Sequence, residues 1–361
     1  MKCKLESDLI QDALRVIQRL APPTSGNVNI HSEGKKLYLK SQSETAQCDI
    51  QVPCEVKGDA LFAVPLDSLV TATKGRKELE VEFNKQMLNI QSGKLKVQLA
   101  TVDAIVLEDE QDAKKEKGKS WKVDAEQAAW LKAAVAQAAL KPTALLQTFM
   151  PLSVRLTDKK AFVACYDTHH MSFVTSKELK GDLDFTLPLD TMTAVLDVFH
   201  RSAFKLEVSG AEVKISNKLA SVILQLPVVE GGETLSIEDV IQIEKQAAKV
   251  DGTMIELDKG AVTAYLDSVR AIVAKERAEL LCSTEKGKVK FKVATANGSA
   301  SESMKAAVKK AQEFKVDLEY FDEAVRKSRA VGFKLVENEF LLFSTGPGCS
   351  LVVSLNQESS E

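Results

Sequence analysis

No stretch of this 361-residue chain approaches the roughly 20 consecutive apolar residues that a membrane-spanning helix needs. The start, Met1 to Glu6, has no apolar core, so no signal peptide is expected. Nucleotide-binding and hydrolytic signatures are missing as well: there is no GxxxxGK loop followed by Ser or Thr, no GxSxG elbow and no HExxH pair. No paired carboxylates are set into apolar strands, where general acid and base work would want them, and the densest acidic run, Glu108-Asp109-Glu110, lies in a polar stretch. The six cysteines, Cys3, Cys48, Cys54, Cys165, Cys282 and Cys349, include no CxxC spacing and no neighbouring His in a zinc pattern. Adjacent His169 and His170 point to opposite faces of a strand and have no evident third ligand. These absences predict a cytoplasmic chain without disulfides, metal or cofactor, and not an enzyme. Net charge is also short on the positive side, at -3, so contact with nucleic acid would have to come from local placement of Lys and Arg.

What is present is repetition. Phe62-Ala63-Val64-Pro65-Leu66-Asp67 returns as Phe185-Thr186-Leu187-Pro188-Leu189-Asp190 and, in altered form, as Phe314-Lys315-Val316-Asp317-Leu318-Glu319. The spacing, about 125 residues, is the size of a domain and too long for a solenoid repeat. Each copy reads as a strand entering a helix. The chain therefore predicts three tandem domains, 1–107, 120–229 and 251–356.

In the first, a strand from Lys2 to Glu6 precedes a helix from Asp8 to Leu20 capped by Ser7 and stopped by Pro22-Pro23. Strands are expected at 27–31, 36–40, 46–56 and 61–64, with a hairpin at Glu33-Gly34-Lys35. A second helix then ends at Gly75, and three strands follow. The second domain repeats this order, with helices from Ala125 to Leu140 and from the Phe185 motif to His200. The third has an Asp258-capped helix to Lys275 and another from Leu318 to Val331. The two helices of each domain should cover one sheet face. Glu108 to Lys119 and Val229 to Val250 read as linkers, the latter with a polar and helical character, and Ala296 to Lys310 as a mobile loop.

This architecture resembles the bacterial sliding clamp, the beta subunit and processivity factor of the replicative DNA polymerase. The resemblance rests on the three copies and on Val52-Pro53, Gly58-Asp59, Phe62 to Pro65 and Lys74-Gly75-Arg76-Lys77 in order. Ala164 to Met171 resembles the family's Ala-Thr-Asp-Gly-His-Arg-Leu segment, with Thr168, His170 and Met171 replacing Gly, Arg and Leu. The usual Met-Pro-Met-Arg-Leu ending is here Ser354-Leu355-Asn356-Gln357 and an acidic tail, so the chain reads as a divergent member, a phage source included. The resemblance implies an α+β fold of three clamp domains, each with two helices on antiparallel sheets. It implies a closed head-to-tail homodimer with helices lining the hole, tethering the polymerase to double-stranded DNA without reading sequence. An ATP-dependent clamp loader would be a further partner, and no membrane is involved.

Two candidate sites follow. The first is basic: Arg15, Arg19, Lys74, Arg76 and Lys77 in the first domain, Lys132, Lys141, His200 and Arg201 in the second, and Arg270, Lys275, Arg277, Arg326, Lys327 and Arg329 in the third. Every predicted helix carries a base toward its C-terminal half. The helix dipole alone favours this by roughly 0.3–1 kcal/mol, but six of six in an acidic chain suits a phosphate-facing surface. The second is a peptide pocket that the resemblance implies at Tyr166, Thr168, His169, His170 and Met171 with Val352, Val353, Ser354 and Leu355. A flexible Met suits varied apolar anchors. The alternative function is a tandem-domain protein scaffold that does not encircle DNA.

Overall fold

The computed structural model describes residues 1–84, 86–104, 118–141, 150–167, 169–200, 202–226, 237–249, 251–273, 277–308, 310–336 and 339–356. The chain forms two compact units, one of residues 1–132 and 182–228, the other of 133–181 and 229–361.

In the first unit, β1 (Lys2–Glu6) leads into α1 (Ser7–Leu20), followed by β2 (Asn27–Glu33), β3 (Lys36–Gln42), β4 (Ala46–Val52), β5 (Glu55–Lys57) and β6 (Ala60–Pro65). Then come α2 (Leu66–Thr73), β7 (Glu78–Asn84), β8 (Met87–Ser92) and β9 (Leu95–Ala100). The order recurs with β10 (Lys119–Val123), α3 (Ala125–Ala138), β11 (Pro151–Leu156), β12 (Ala161–Tyr166), β13 (His170–Ser176), β14 (Leu183–Pro188), α4 (Leu189–Phe199), β15 (Phe204–Ser209), β16 (Glu212–Ser216) and β17 (Ala220–Gln225). After α5 (Ile237–Lys249) it recurs once more: β18 (Thr253–Leu257), α6 (Lys259–Val273), β19 (Glu279–Glu285), β20 (Lys288–Thr295), β21 (Gly298–Ala307), β22 (Gln312–Asp317), α7 (Leu318–Lys327), β23 (Val331–Val336), β24 (Phe340–Gly346) and β25 (Cys349–Ser354).

Two sheets build the first unit among the described residues, in the orders β5-β1-β7-β8-β9 and β10-β15-β16-β17-β4-β3-β2-β6. The second unit carries the run β11-β12-β13-β25-β24-β23-β18-β21-β20-β19-β22. One rule recurs. The last strand of the second copy, β17, pairs antiparallel with β4 of the first, Val222 opposite Cys48. The last strand of the third, β25, pairs with β13 of the second, Leu351 opposite Ser172.

Residue alternation explains the sheets. Cys48, Ile50 and Val52 of β4 and Val289, Phe291 and Val293 of β20 are buried, with polar residues between them. Helix α1 buries Ile10, Ala13, Leu14, Ile17 and Leu20, a stripe of helical spacing that packs beside α2 and α4. In the second unit Phe291, Phe321, Phe333 and Phe343 are all fully buried, and Phe321 lies 5.7–5.8 Å from the other three ring centroids. Each such side chain contributes about 1.5–3 kcal/mol by leaving water.

The repeated phrase is a junction of fixed backbone shape. Pro65, Pro188 and Asp317 have φ of -58°, -56° and -61° and ψ of 125°, 138° and 128°, and helix follows each at a leucine. The prolines offer no capping side chain. In the third copy Asp317 accepts the Glu319 N–H at 2.9 Å, a true N-cap. A second repeated device is a glycine before the first strand. A Cβ on Gly118 would stand 2.5 Å from the Val208 carbonyl oxygen, and one on Gly252 2.6 Å from that of Leu335.

Four local expectations are corrected. Ser7 does not cap α1: Glu6 holds that position, while Ser7 is buried, donating its N–H to Lys77 O at 2.9 Å and its hydroxyl to Thr73 O at 2.5 Å. The loop expected at 296–310 is mostly strand β21, whose Ser and Ala residues hydrogen-bond along β20 and in which only Met304 is buried; an edge of small polar residues lacks the apolar alternation that signals a strand. Helix α7 stops at Lys327 instead of continuing to Val331, because Val331 opens β23 and pairs with Leu257. Lys119, read as linker, pairs in β10 with Val208. Asp258 caps α6 as expected, accepting the Ala261 N–H at 2.8 Å.

Candidate functional site

The basic residues divide by their partners. At the end of α2, Lys74, Arg76 and Lys77 are exposed and make no ion pair among the described residues. Gly75, at φ +69°, allows the chain to leave the helix there with three cations splayed around it. On α1, Arg15 pairs with Asp12 at 2.8 Å, and Arg19 reaches Asp197 of α4 at 2.8 Å. Lys132 of α3 meets the same carboxylate at 3.0 Å. Hydrogen bonds from Lys132 and then Arg19 hold the Asp197 carboxyl below its usual range. Two cations on one carboxylate leave a net positive charge. His200 is half-buried, with Nδ1 2.7 Å from the Leu196 carbonyl oxygen. Arg201 and Lys275 lie outside the described residues.

In the second unit the cations are more fully matched. Arg270 pairs with Asp322, and Arg277 pairs with Asp317 at 2.6 Å. Arg326 contacts Asp267 at 2.6 Å and Asp322 at 2.8 Å. Arg329 is exposed beyond the end of α7. Lys141 has an exposed side chain, and its backbone N–H donates to Glu323 at 3.0 Å. Lys327 does not join this surface. Its ammonium turns inward, donates to the Ala139 carbonyl at the end of α3 and lies 3.4 Å from Glu323. Burial pushes the Lys327 ammonium down, with Glu323 opposing the shift. An α7 residue facing α3 cannot also face outward, a distinction that position near a helix end does not carry.

The residues expected to form a peptide pocket are brought together in the second unit. His170 pairs with Val353 and Met171 with Val352 on adjacent strands, and Ser354 N–H donates to His169 O at 2.8 Å. Strand alternation then separates them. Tyr166, Met171 and Val352 share one face with Phe162, Ala164 and Phe173, and Ile241 and Ile243 of α5 pack against that cluster beside Phe340 and Leu342. Arg155 of β11 pairs with Glu238, which fastens α5 there. His170 and Val353 take the opposite face. Leu355 is buried, with its N–H on Glu339 O at 2.9 Å. Thr168 lies outside the described residues.

His170 sits in a polar cluster that motif reading did not separate from the pocket. Its Nδ1 lies 2.7 Å from Asp167 Oδ2 and its Nε2 3.5 Å from Glu323 Oε2, and the ring stacks on Tyr320 at 4.2 Å. Asp167 Oδ1 accepts the backbone N–H groups of His169 and His170, each at 2.7 Å. Burial disfavours the imidazolium, but the contacts with Asp167 and Glu323 outweigh it and raise His170 above its ordinary value. Both carboxyls are lowered: burial pushes them up, and His170, together with backbone N–H groups and, for Glu323, Lys327, more than reverses it. The contacts are close without being well-aligned: neither ring nitrogen meets hydrogen-bond geometry among the described residues. In sequence, the only sign of the cluster is the departure at His170 from the family's Arg.

Comparison with known proteins rests on structure. No protein-family model and no curated protein matches the chain. The beta subunit of DNA polymerase III from Thermotoga maritima matches with a TM-score of 0.79 at 13% identity, covering 99% of this chain and 100% of that one. The DNA polymerase sliding clamp from Caulobacter crescentus matches with a TM-score of 0.79 at 15% identity, over the same shares of both chains. The DNA polymerase III beta subunit from Pseudomonas aeruginosa gives 0.78 at 13% identity, again over 99% and 100%. Across its whole length, and at identities where sequence alone matches nothing, the chain has the fold of these clamp proteins.

Proposed function

We propose that this protein is a sliding clamp: two copies close head to tail around double-stranded DNA and tether a replicative polymerase. The reading treats 1–107, 120–229 and 251–356 as three domains. The observation that carries it is the strand rule. Each copy's last strand pairs with the fourth strand of the copy before it, as β17 does with β4 and β25 with β13. Two strands are left over in one chain. β9 ends its sheet, and β21 along Gly298–Lys305 pairs only with β20 among the described residues. Pairing β9 of one copy with β21 of another satisfies the rule twice and hides two edges that would otherwise template aggregation. The similar structures are a polymerase subunit and a sliding clamp, in keeping with this reading.

In such a ring the cations around Lys74, Arg76, Lys77 and the Arg19–Lys132 pair would meet phosphates without base contacts, which permits sliding. Catalysis is not part of the mechanism. A tethered polymerase that lets go rebinds before it escapes, because its effective concentration stays high. The face of Tyr166, Met171 and Val352 would receive an apolar motif from the polymerase, at the margin of α5 or by displacing it. A closed ring needs an ATP-driven loader to open it, and the reading places the protein in bacterial cytoplasm, or that of the host if a phage encodes it. The Asp partners of Arg270, Arg277 and Arg326 favour the second reading, a scaffold that does not encircle DNA.

The test is topological. Loaded on a nicked circle, the protein should stay bound and be lost when the circle is cut. Release that is equal from circles and linear DNA, or a monomer by light scattering at micromolar concentration, overturns the clamp.

A further inference from the structure

Two of the six cysteines meet. Cys3 lies on β1, buried at 3% exposure, and its antiparallel partner on β5 is Val56. Cys54 stands two residues before Val56, just outside the paired stretch, where continuing the register makes it a diagonal neighbour of Cys3, and it is half-exposed. The two thiols are close enough for each to perturb the other's ionisation. We propose that Cys3 and Cys54 form a peroxide-sensitive dithiol site, with Cys54 as the attacking thiol and Cys3 as the resolving one.

The division of roles follows from environment. Cys54 reaches solvent, and the adjacent Cys3 thiol holds it below the ordinary range, against the opposing effect of burial. Cys3 is buried, and its thiol is pushed up first by Cys54 and then by burial, so it keeps its proton. By contrast burial alone drives Cys282 up, and Cys48 too is raised first by burial, as structural thiols are. The Cys54 thiolate attacks one oxygen of a hydroperoxide, taking that oxygen as a sulfenic acid and releasing hydroxide, or alkoxide from an organic peroxide. The Cys3 sulfur then attacks the Cys54 sulfur, the S–O bond breaks, and water leaves with the Cys3 proton. Each disulfide so formed consumes one peroxide and oxidises two thiols. The product staples β1 to the β4–β5 connection. β1 lies between β5 and β7, so the staple fixes the first strand of the sheet that ends in β9. Loop closure across residues 3 to 54 constrains the unfolded chain.

The experiment uses the reduced full-length protein treated with hydrogen peroxide, then denatured, alkylated and mapped by mass spectrometry. The expected product has lost two hydrogen atoms per chain and links Cys3 to Cys54, with the other four cysteines alkylated. Its melting temperature should rise and return on reduction. Cys54→Ser should slow thiol consumption by about tenfold or more. Cys3→Ser should leave Cys54 trapped by dimedone as the sulfenic acid. Should Cys3→Ser fold poorly, the wild-type alkylation profile decides: Cys54 should react with iodoacetamide at lower pH than a free thiol. Cys54 reacting no faster than Cys282, or a disulfide joining other cysteines or two chains, overturns the proposal.

Discussion

Nδ1 of His170 lies 2.7 Å from Oδ2 of Asp167, and both side chains are fully buried. A raised His170 contributes stability that is whole below its ordinary value of 6.5 and is lost as pH climbs through the higher folded value. The lowered Asp167 and Glu323 contribute stability present above 3.8 and 4.5, lost as pH falls through their depressed values. Thermal stability should therefore be highest from about pH 5 to 6.5 and decline on both sides. His170→Gln should cost about 3 kcal/mol at pH 6 and flatten the alkaline decline. If the variant keeps the alkaline slope, His170 is not its source.

Gly252 tolerates no side chain where it stands. A Cβ there would also meet Lys334 Cγ at 2.8 Å, and the nearer atom, the Leu335 carbonyl oxygen, belongs to a strand held in its ladder. Gly252→Ala should destabilise by about 1–3 kcal/mol in urea unfolding, and Gly118→Ala similarly. Gly210, with nothing within 4 Å but φ +55°, should lose less on replacement by Asn, which accepts that backbone region.

Phe321 anchors the aromatic core of the second unit. Truncation to Ala leaves its three ring neighbours facing a void, at a cost of about 3–5 kcal/mol. Differential scanning calorimetry of Phe321→Ala should show it; a change under about 1 kcal/mol would mean the ring is not packed as described.

Arg76→Ala with Lys77→Ala should leave folding intact, because both are exposed and unpaired among the described residues. DNA retention at fixed salt should fall, and the slope of log K against log salt should drop by about 1 for each phosphate no longer neutralised. Arg326→Ala should behave differently. It removes the ion pairs to Asp267 and Asp322 and should lower stability before it lowers DNA retention. Equal effects from both variants would count against the division between free and paired cations.

Leu95 sits on the edge strand β9 at 39% exposure. Leu95→Asp should weaken association between copies, read by light scattering across a dilution series, while the melting temperature at low concentration changes by no more than about 0.5 kcal/mol allows. An unaltered dimer would remove β9 from the closing surface.

Much of the fold was legible along the chain. The Phe62, Phe185 and Phe314 phrases marked strand-to-helix junctions because Pro65 and Pro188 hold φ near the value those turns need, and Asp317 reaches the same geometry with a side-chain cap. Helix α1 announced itself through its apolar stripe. β21 did not, because its neighbour β20 supplies the buried residues of that hairpin and leaves β21 to satisfy backbone groups with Ser, Ala and Glu.

The candidate sites were less legible. Their residue types were readable, but partners come from distant positions: Asp197 for Arg19, Asp317 for Arg277, Glu323 for His170, Ala139 for Lys327. Neither a helical period nor a spacing encodes such pairs.

Local periodicity and punctuation, acting over a few residues, were enough to set the repeat, most strand and helix positions and the α+β class, because dihedral preference and amphipathic spacing are short-range. Which strand joins which copy, whether a cation faces water or a carboxylate, and on which side of β13 His170 and Met171 fall were decided by tertiary packing. Those outcomes depend on backbone ladders and buried charges meeting across more than a hundred residues, where energy depends on three-dimensional neighbours and not on sequence neighbours.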